Sequence, residues 1–161
     1  MGDRDTEKAF RWIVDILKKH DVPFQISGGL AAKIYGSKRP LNDIDIDIPE
    51  SRFRDISKEV EEYAVFGPKR FVDDNWDLML MTLNYGGQEI DIGGDGARVR
   101  DAETGEWREV RTDFSDSESH EVYGVAAPVI KRSNLIRYKR LLGRAVDIDD
   151  VGAITMPEQG R

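Results

Sequence analysis

Ser27-Gly28-Gly29 and, a short way downstream, Asp43-Ile44-Asp45-Ile46-Asp47-Ile48 are the stretches on which the reading of this chain turns. Val22 to Ile26 is a short apolar strand that delivers the glycine pair, and a compact helix over Leu30–Tyr35 follows it. Side chains alternate across a strand with period two. Asp43, Asp45 and Asp47 therefore share one face, and Ile44, Ile46 and Ile48 the other. The isoleucines suit a core. The carboxylates repel one another, and strands disfavour aspartate. A bound divalent cation is the simplest offset, because hard cations such as Mg²⁺ take carboxylates together with substrate phosphates.

Around this stretch the chain reads as soluble and globular. Its 161 residues fit one domain, 39% are hydrophobic and 34% charged. No apolar run is long enough to span a bilayer, and the charged N-terminus has no signal-like segment. The absence of cysteine excludes disulfides, thiolate zinc sites and cysteine nucleophiles, and fits a cytoplasmic protein. A net charge of −7 argues against an extended nucleic-acid surface, whose affinity rests on neutralising phosphates.

Helical periodicity marks residues 5–20, with Ala9, Trp12, Ile13, Ile16 and Leu17 inward, and residues 51–63, with Phe53, Ile56, Val60 and Tyr63 inward. Leu78–Leu83 and Gln88–Ile92 read as antiparallel strands joined by a turn at Asn84–Gly87. A second hairpin joins Ala97–Arg100 to Trp107–Val110. Residues 111–120 read as polar loop, Val122–Ile130 as an apolar segment, and two helices follow, from Ser133 to about Gly143 and from near Asp147. The expectation is one unit over 1–161, with a core over about 5–95 and a C-terminal hairpin and helices over about 96–155.

A second acidic pair, Glu89 and Asp91, shares one face of the later strand. If that strand lies beside 43–48, one of these acids joins Asp43 and Asp45. Three such carboxylates suit a two-metal site, in which one ion activates an attacking hydroxyl and the other stabilises departing pyrophosphate. Gly28 and Gly29 let backbone N–H groups approach a phosphate closely.

Taken together, Ser27-Gly28-Gly29, the loop with Arg39, and Asp43-Ile44-Asp45-Ile46 resemble the signature of the DNA polymerase β-like nucleotidyltransferase superfamily. Gly28-Gly29-Leu30-Ala31-Ala32 before Asp-Ile-Asp is similar to its aminoglycoside adenylyltransferase branch, and Glu89–Asp95 and Pro128–Asp150 to small members of the group. The resemblance implies an α/β (α+β) minimal nucleotidyltransferase fold: a small mixed sheet with helices packed mainly on one face. It implies transfer of a nucleoside monophosphate, AMP from ATP, to an acceptor hydroxyl with Mg²⁺ or Mn²⁺. Asp43, Asp45 and Asp91 match the metal-binding and catalytic acids; Ser27, Gly28, Gly29 and Arg39 match the nucleotide-binding side. Asp47 or Glu89 stands as an alternative for one of the acids. The acceptor is a small molecule, RNA or a partner protein such as a toxin. Small chains of this kind also include antitoxin-type modules, which gives a second reading as a partner-binding protein without catalysis.

Outside the motif, Lys131, Arg132, Arg137, Lys139, Arg140 and Arg144 form a basic cluster, read as the wet side of a packing helix with Leu135, Ile136, Leu141 and Leu142 beneath. Asp47 reads as a surface carboxylate; Trp12, Trp76 and Trp107 read as core or edge residues, with Trp76 the one to watch on the substrate side.

Overall fold

A computed structural model describes residues 5–155. In chain order the elements are α1 (Thr6–Lys19), β1 (Gln25–Ser27), α2 (Gly28–Ile34), β2 (Asp43–Ile48), α3 (Phe53–Val60), β3 (Ala64–Val72), β4 (Trp76–Tyr85), β5 (Gln88–Gly94), β6 (Gly96–Arg100), β7 (Trp107–Arg111), β8 (Ser117–Val122), β9 (Val125–Ile130), α4 (Arg132–Leu142) and α5 (Ala145–Thr155). All nine strands belong to one mixed sheet, ordered β7-β6-β4-β5-β2-β1-β9-β8, with β3 paired to β4.

The centre of the sheet decides where the acids go. β2 runs antiparallel to β1 and parallel to β5, in a register that sets Asp45 beside Ser27 on one side and Asp91 on the other. Ile44, Ile46 and Ile48 point to the opposite face with Ile90, Ile92, Met81 and Leu83, all essentially solvent-free. That face is closed by α1 and α3. Asp5 caps α1 by accepting from the Lys8 N–H, and Phe10, Ile13, Val14 and Leu17 form its buried stripe. Phe53, Ile56 and Val60 do the same from α3.

α4 and α5 lie elsewhere. Tyr138, Lys139, Leu142, Arg144 and Val146 share a cavity with the β2 carboxylates, so these helices stand over the acidic face. The site is thus walled rather than left open. The C-terminal segment also completes the central sheet, because β9 pairs with β1 in parallel through Ile26 and Val129.

Two strands lie outside the sequence expectation. β3 carries Gly67, Pro68, Lys69 and Arg70, leaves Val65 and Val72 exposed, and breaks register twice against β4. β8 reads Ser-Glu-Ser-His-Glu-Val and pairs only with β9. Both are edge strands, which need no apolar alternation and tolerate proline and charge. The pattern that reveals a strand is missing from such segments. Among the described residues no helix is long and apolar enough to cross a membrane.

Candidate active site

Three rows of side chains rise from the acidic face. Glu89 and Asp43 form the first, Asp91 and Asp45 with Ser27 the second, and Gly93 and Asp47 with Gln25 the third. Asp43, Asp45 and Asp91 each offer a carboxylate oxygen, and these oxygens all lie within 4.8 Å of one another. Among the described residues they form the one acidic group close enough to hold a metal ion. The Thr82 hydroxyl donates to Asp91 Oδ1 at 2.7 Å and fixes that carboxylate from β4.

The electrostatics fit a cation. Burial, then contact with Asp91, pushes Asp43 up to about 6. Burial, then the Asp43 and Asp91 charges, pushes Asp45 well above the usual carboxylate range. Asp91 is raised as well, chiefly by burial. Without a cation, then, the cluster relieves its repulsion by taking up protons. A divalent ion supplies the same relief with oxygen ligands of the type that Mg²⁺ and Mn²⁺ prefer.

This has a measurable consequence. A group whose folded pKa is raised contributes stability that is full below its unfolded pKa and is lost as pH rises through the folded one. The cation-free protein is therefore expected to lose stability between about pH 4 and pH 7, as Asp43 and its neighbours ionise. Saturating Mg²⁺ should flatten the decline. Thermal melts from pH 5 to pH 8, with EDTA and with Mg²⁺, measure it; an EDTA curve that rises over this range would contradict the cluster.

Gly28 makes the approach of Asp45 possible. Its φ is +59°, and a Cβ there would sit 2.1 Å from Asp45 Oδ2. Gly29 is different: a Cβ would meet Leu41 at 3.6 Å and Arg39 Nη2 at 3.7 Å, ordinary contacts. Its backbone N–H is directed to Asp45. Gly28→Ala is expected to cost about 2–4 kcal/mol through strain and displacement of Asp45, whereas Gly29→Ala should stay within about 1 kcal/mol. Urea denaturation of the two variants checks the contrast.

Ser27 begins α2 but makes no capping bond. Its hydroxyl turns to Asp47. Asp47 is not the surface carboxylate that the sequence suggested. Burial pushes it up to about 7, partly offset by the hydroxyls of Ser27 and Thr112. The β1–β2 register and the chain after β7 enclose it, and neither is visible in a local motif.

Arg39 lines the cavity, gripped by Asp150 through Nε at 3.2 Å and Nη2 at 2.7 Å. Asp150 and Asp147 are wholly buried and Lys139 is 3% exposed. Lys139 Nζ lies 3.0 Å from Asp150 and 3.4 Å from Asp147, and Arg144 pairs with Asp147 at 2.6 Å. Although burial acts upward on Asp150, hydrogen bonds from Arg39 and Lys139 hold it down to about 2. Lys139 therefore does not lie on the wet side of its helix, as the sequence reading had it. The available signal was Asp147 and Asp150, three apart and so on one face of a mostly apolar helix. Arg137, by contrast, is exposed and bonds Asn134.

The cavity so formed holds about 620 Å³ and is bounded by Ser27, Gly28, Gly29, the triad, Glu89, Trp76 and the cations Arg39, Lys139 and Arg144. Trp76 lines it too. Its Nε1 donates to the Tyr138 hydroxyl at 2.8 Å, and its ring lies 4.7 Å beneath the Arg144 guanidinium.

No protein-family model matches the sequence, and no curated protein matches it. Solved structures do match the fold. A candidate nucleotidyltransferase from Thermotoga maritima is similar at 23% identity with TM-score 0.71, over 90% of this chain and 89% of that one. The lincosamide antibiotic adenylyltransferase LnuA, solved with lincomycin, is similar at 16% identity with TM-score 0.62, over 95% and 98% of the two chains. The antibiotic-resistance enzyme ANT(2″)-Ia, solved with adenylyl-2″-tobramycin, is similar at 13% identity with TM-score 0.58, over 92% and 86%. The chain has the nucleotidyltransferase fold.

Proposed function

We propose that this protein is a metal-dependent nucleotidyltransferase that moves AMP from ATP onto an acceptor hydroxyl. The observation that carries the reading is the convergence of Asp43, Asp45 and Asp91 beside the Gly28 turn, with Arg39 and Arg144 lining the same cavity. The likeness to LnuA and ANT(2″)-Ia supports it. A partner-binding role without catalysis calls for no such cavity.

In the reaction the acceptor oxygen forms a bond to the α-phosphorus, the bond from that phosphorus to the β-phosphate bridge breaks, and pyrophosphate leaves. Asp43 and Asp45 hold Mg²⁺ or Mn²⁺, and Asp91 completes the set. The cation, when bound, neutralises phosphate charge and makes the acceptor hydroxyl more acidic. Asp91, held at Oδ1 by Thr82, takes the acceptor's proton on its other oxygen. Arg39 and Arg144 attract the β- and γ-phosphates, and their grip by Asp150 and Asp147 keeps them in place. Ser27, Gly28 and Gly29 line the same wall and keep bulk away from the triphosphate. The acceptor we favour is a small hydroxylated molecule, in keeping with the cavity volume and with the lincomycin and adenylyl-tobramycin complexes of the two antibiotic enzymes.

Incubation with α-labelled ATP and Mg²⁺ or Mn²⁺, against aminoglycosides, lincosamides, tRNA and the protein itself, tests the reading. Labelled product with matching pyrophosphate release is expected. A stoichiometric complex with a partner protein, and no label moved to any acceptor, would favour the binding role.

A further inference from the structure

The chemistry above gives no task to Tyr138, a polar residue of the cavity wall. Tyr138 projects from α4 into the cavity, and its hydroxyl oxygen accepts from Trp76 Nε1 at 2.8 Å. That bond fixes the oxygen and occupies one lone pair. The hydroxyl's own proton faces no acceptor among the described residues. A hydroxyl held this way is a donor with a set direction. Arg144 stands beside it, and both residues rest on Trp76, one through the indole N–H and one through the ring face. Arg144 spends its backbone N, Nε and Nη2 on Asp147, which leaves Nη1 to donate elsewhere. The charges of Asp47 and then Asp45 act on the Tyr138 hydroxyl, and that of Asp45 acts on Arg144 as well.

An unspent phenolic O–H and an unspent guanidinium N–H, both resting on Trp76 and lining one cavity with the Asp43–Asp45–Asp91 cluster, suit an anionic oxygen bridged to that cluster by a cation. The geometry points to Tyr138 as a hydrogen-bond donor, paired with Arg144, to a phosphate oxygen of the bound nucleotide, with Trp76 as the positioning residue that aims both. The inference rests on the nucleotidyltransferase reading and extends it to a group that no part of the sequence motif contains. Trp76 acts only through its neighbours. The motif residues come from β1, α2, β2, β5 and the loop before β2, whereas Tyr138 and Arg144 come from the C-terminal helices and the turn between them, and Trp76 from β4.

Tyr138→Phe removes the donor and keeps the ring against Trp76. Its affinity for ATP and for inorganic tripolyphosphate, each with Mg²⁺, is measured by isothermal titration, with thermal melts of the same samples. About a tenfold loss for both ligands is expected, the usual scale for one hydrogen bond to a charged group. Trp76→Phe should give a similar loss, and adding it to Tyr138→Phe should cost little more, since both disable one device. Loss for ATP but not for tripolyphosphate would assign the hydroxyl to the sugar or base and overturn the phosphate assignment. Unchanged affinity for both, with wild type binding normally, would overturn the inference while leaving the transferase reading intact. If wild type binds neither ligand, the reading beneath it falls too.

Discussion

Replacing Asp43 and Asp45 together by asparagine is expected to abolish nucleotidyl transfer and, at the same time, to make the cation-free protein more stable. The two effects share one cause. In the folded chain these carboxylates are packed with Asp91 and largely desolvated, so each ionisation is opposed by burial and by its neighbours. Asparagine keeps the shape and discards the charge. The gain should be about 2 kcal/mol, a rise of about 4–8 °C in Tm for a chain of this size. Transfer should fall by at least about 10³-fold, because a cation with one remaining carboxylate ligand is poorly held. Wild type should also gain stability from Mg²⁺–ATP, since ligands that bind only the folded state raise it, and the double variant should not. A solvated edge strand predicts otherwise: surface substitutions stay within about 0.5 kcal/mol. A variant that keeps both its wild-type Tm and the full Mg²⁺–ATP shift would remove the triad as the metal site.

The triad was legible because its signal is periodic and local. Alternation along 43–48 assigns the faces, and the same alternation puts Asp91 and Ile90 on opposite sides of β5. What the pattern cannot give is pairing. Asp47 shares every local property of Asp43 and Asp45, yet its row meets Gly93 and Gln25 where theirs meet acids. That difference makes it a half-buried carboxyl facing two hydroxyls, those of Ser27 and Thr112. The edge strands β3 and β8 were hidden for a related reason: a strand with one neighbour and wet faces needs no apolar repeat. The α4–α5 wall was hidden by charge. Six basic residues on and around one helix suggest solvent, and only the tertiary placement of Asp147 and Asp150 turns Lys139 inward.

Lys139 is where the largest stability effect is expected. Lys139→Met keeps volume and apolar stem but removes the charge that stands between two wholly buried aspartates. Breaking a buried ion pair from one side leaves an uncompensated charge and costs about 3–5 kcal/mol, a large share of the 5–15 kcal/mol that holds a domain together. Arg39 and Arg144 remain, but they are 28% and 38% exposed and approach from the cavity side, so they cannot screen the carboxylates from within. The pH dependence separates this cause from a packing defect. In wild type, Asp150 is held down to about 2, so its contribution is present above the unfolded carboxylate pKa and is lost as pH falls toward 2. In the variant Asp150 loses one of the partners that hold its carboxyl down and protonates more readily. The stability gap between the two proteins should therefore narrow below about pH 4, whereas a gap due to packing alone would not change with pH. Adding Asp150→Asn to Lys139→Met should recover part of the loss in urea denaturation at neutral pH, because the second change removes the charge that the first exposed. It should not recover nucleotide affinity: without Asp150, Arg39 loses the two hydrogen bonds that aim it, and an arginine free to swing into solvent is a weaker phosphate ligand than a fixed one. Recovery of stability without recovery of binding is the outcome that ties the buried network to the positioning of the cavity's cations.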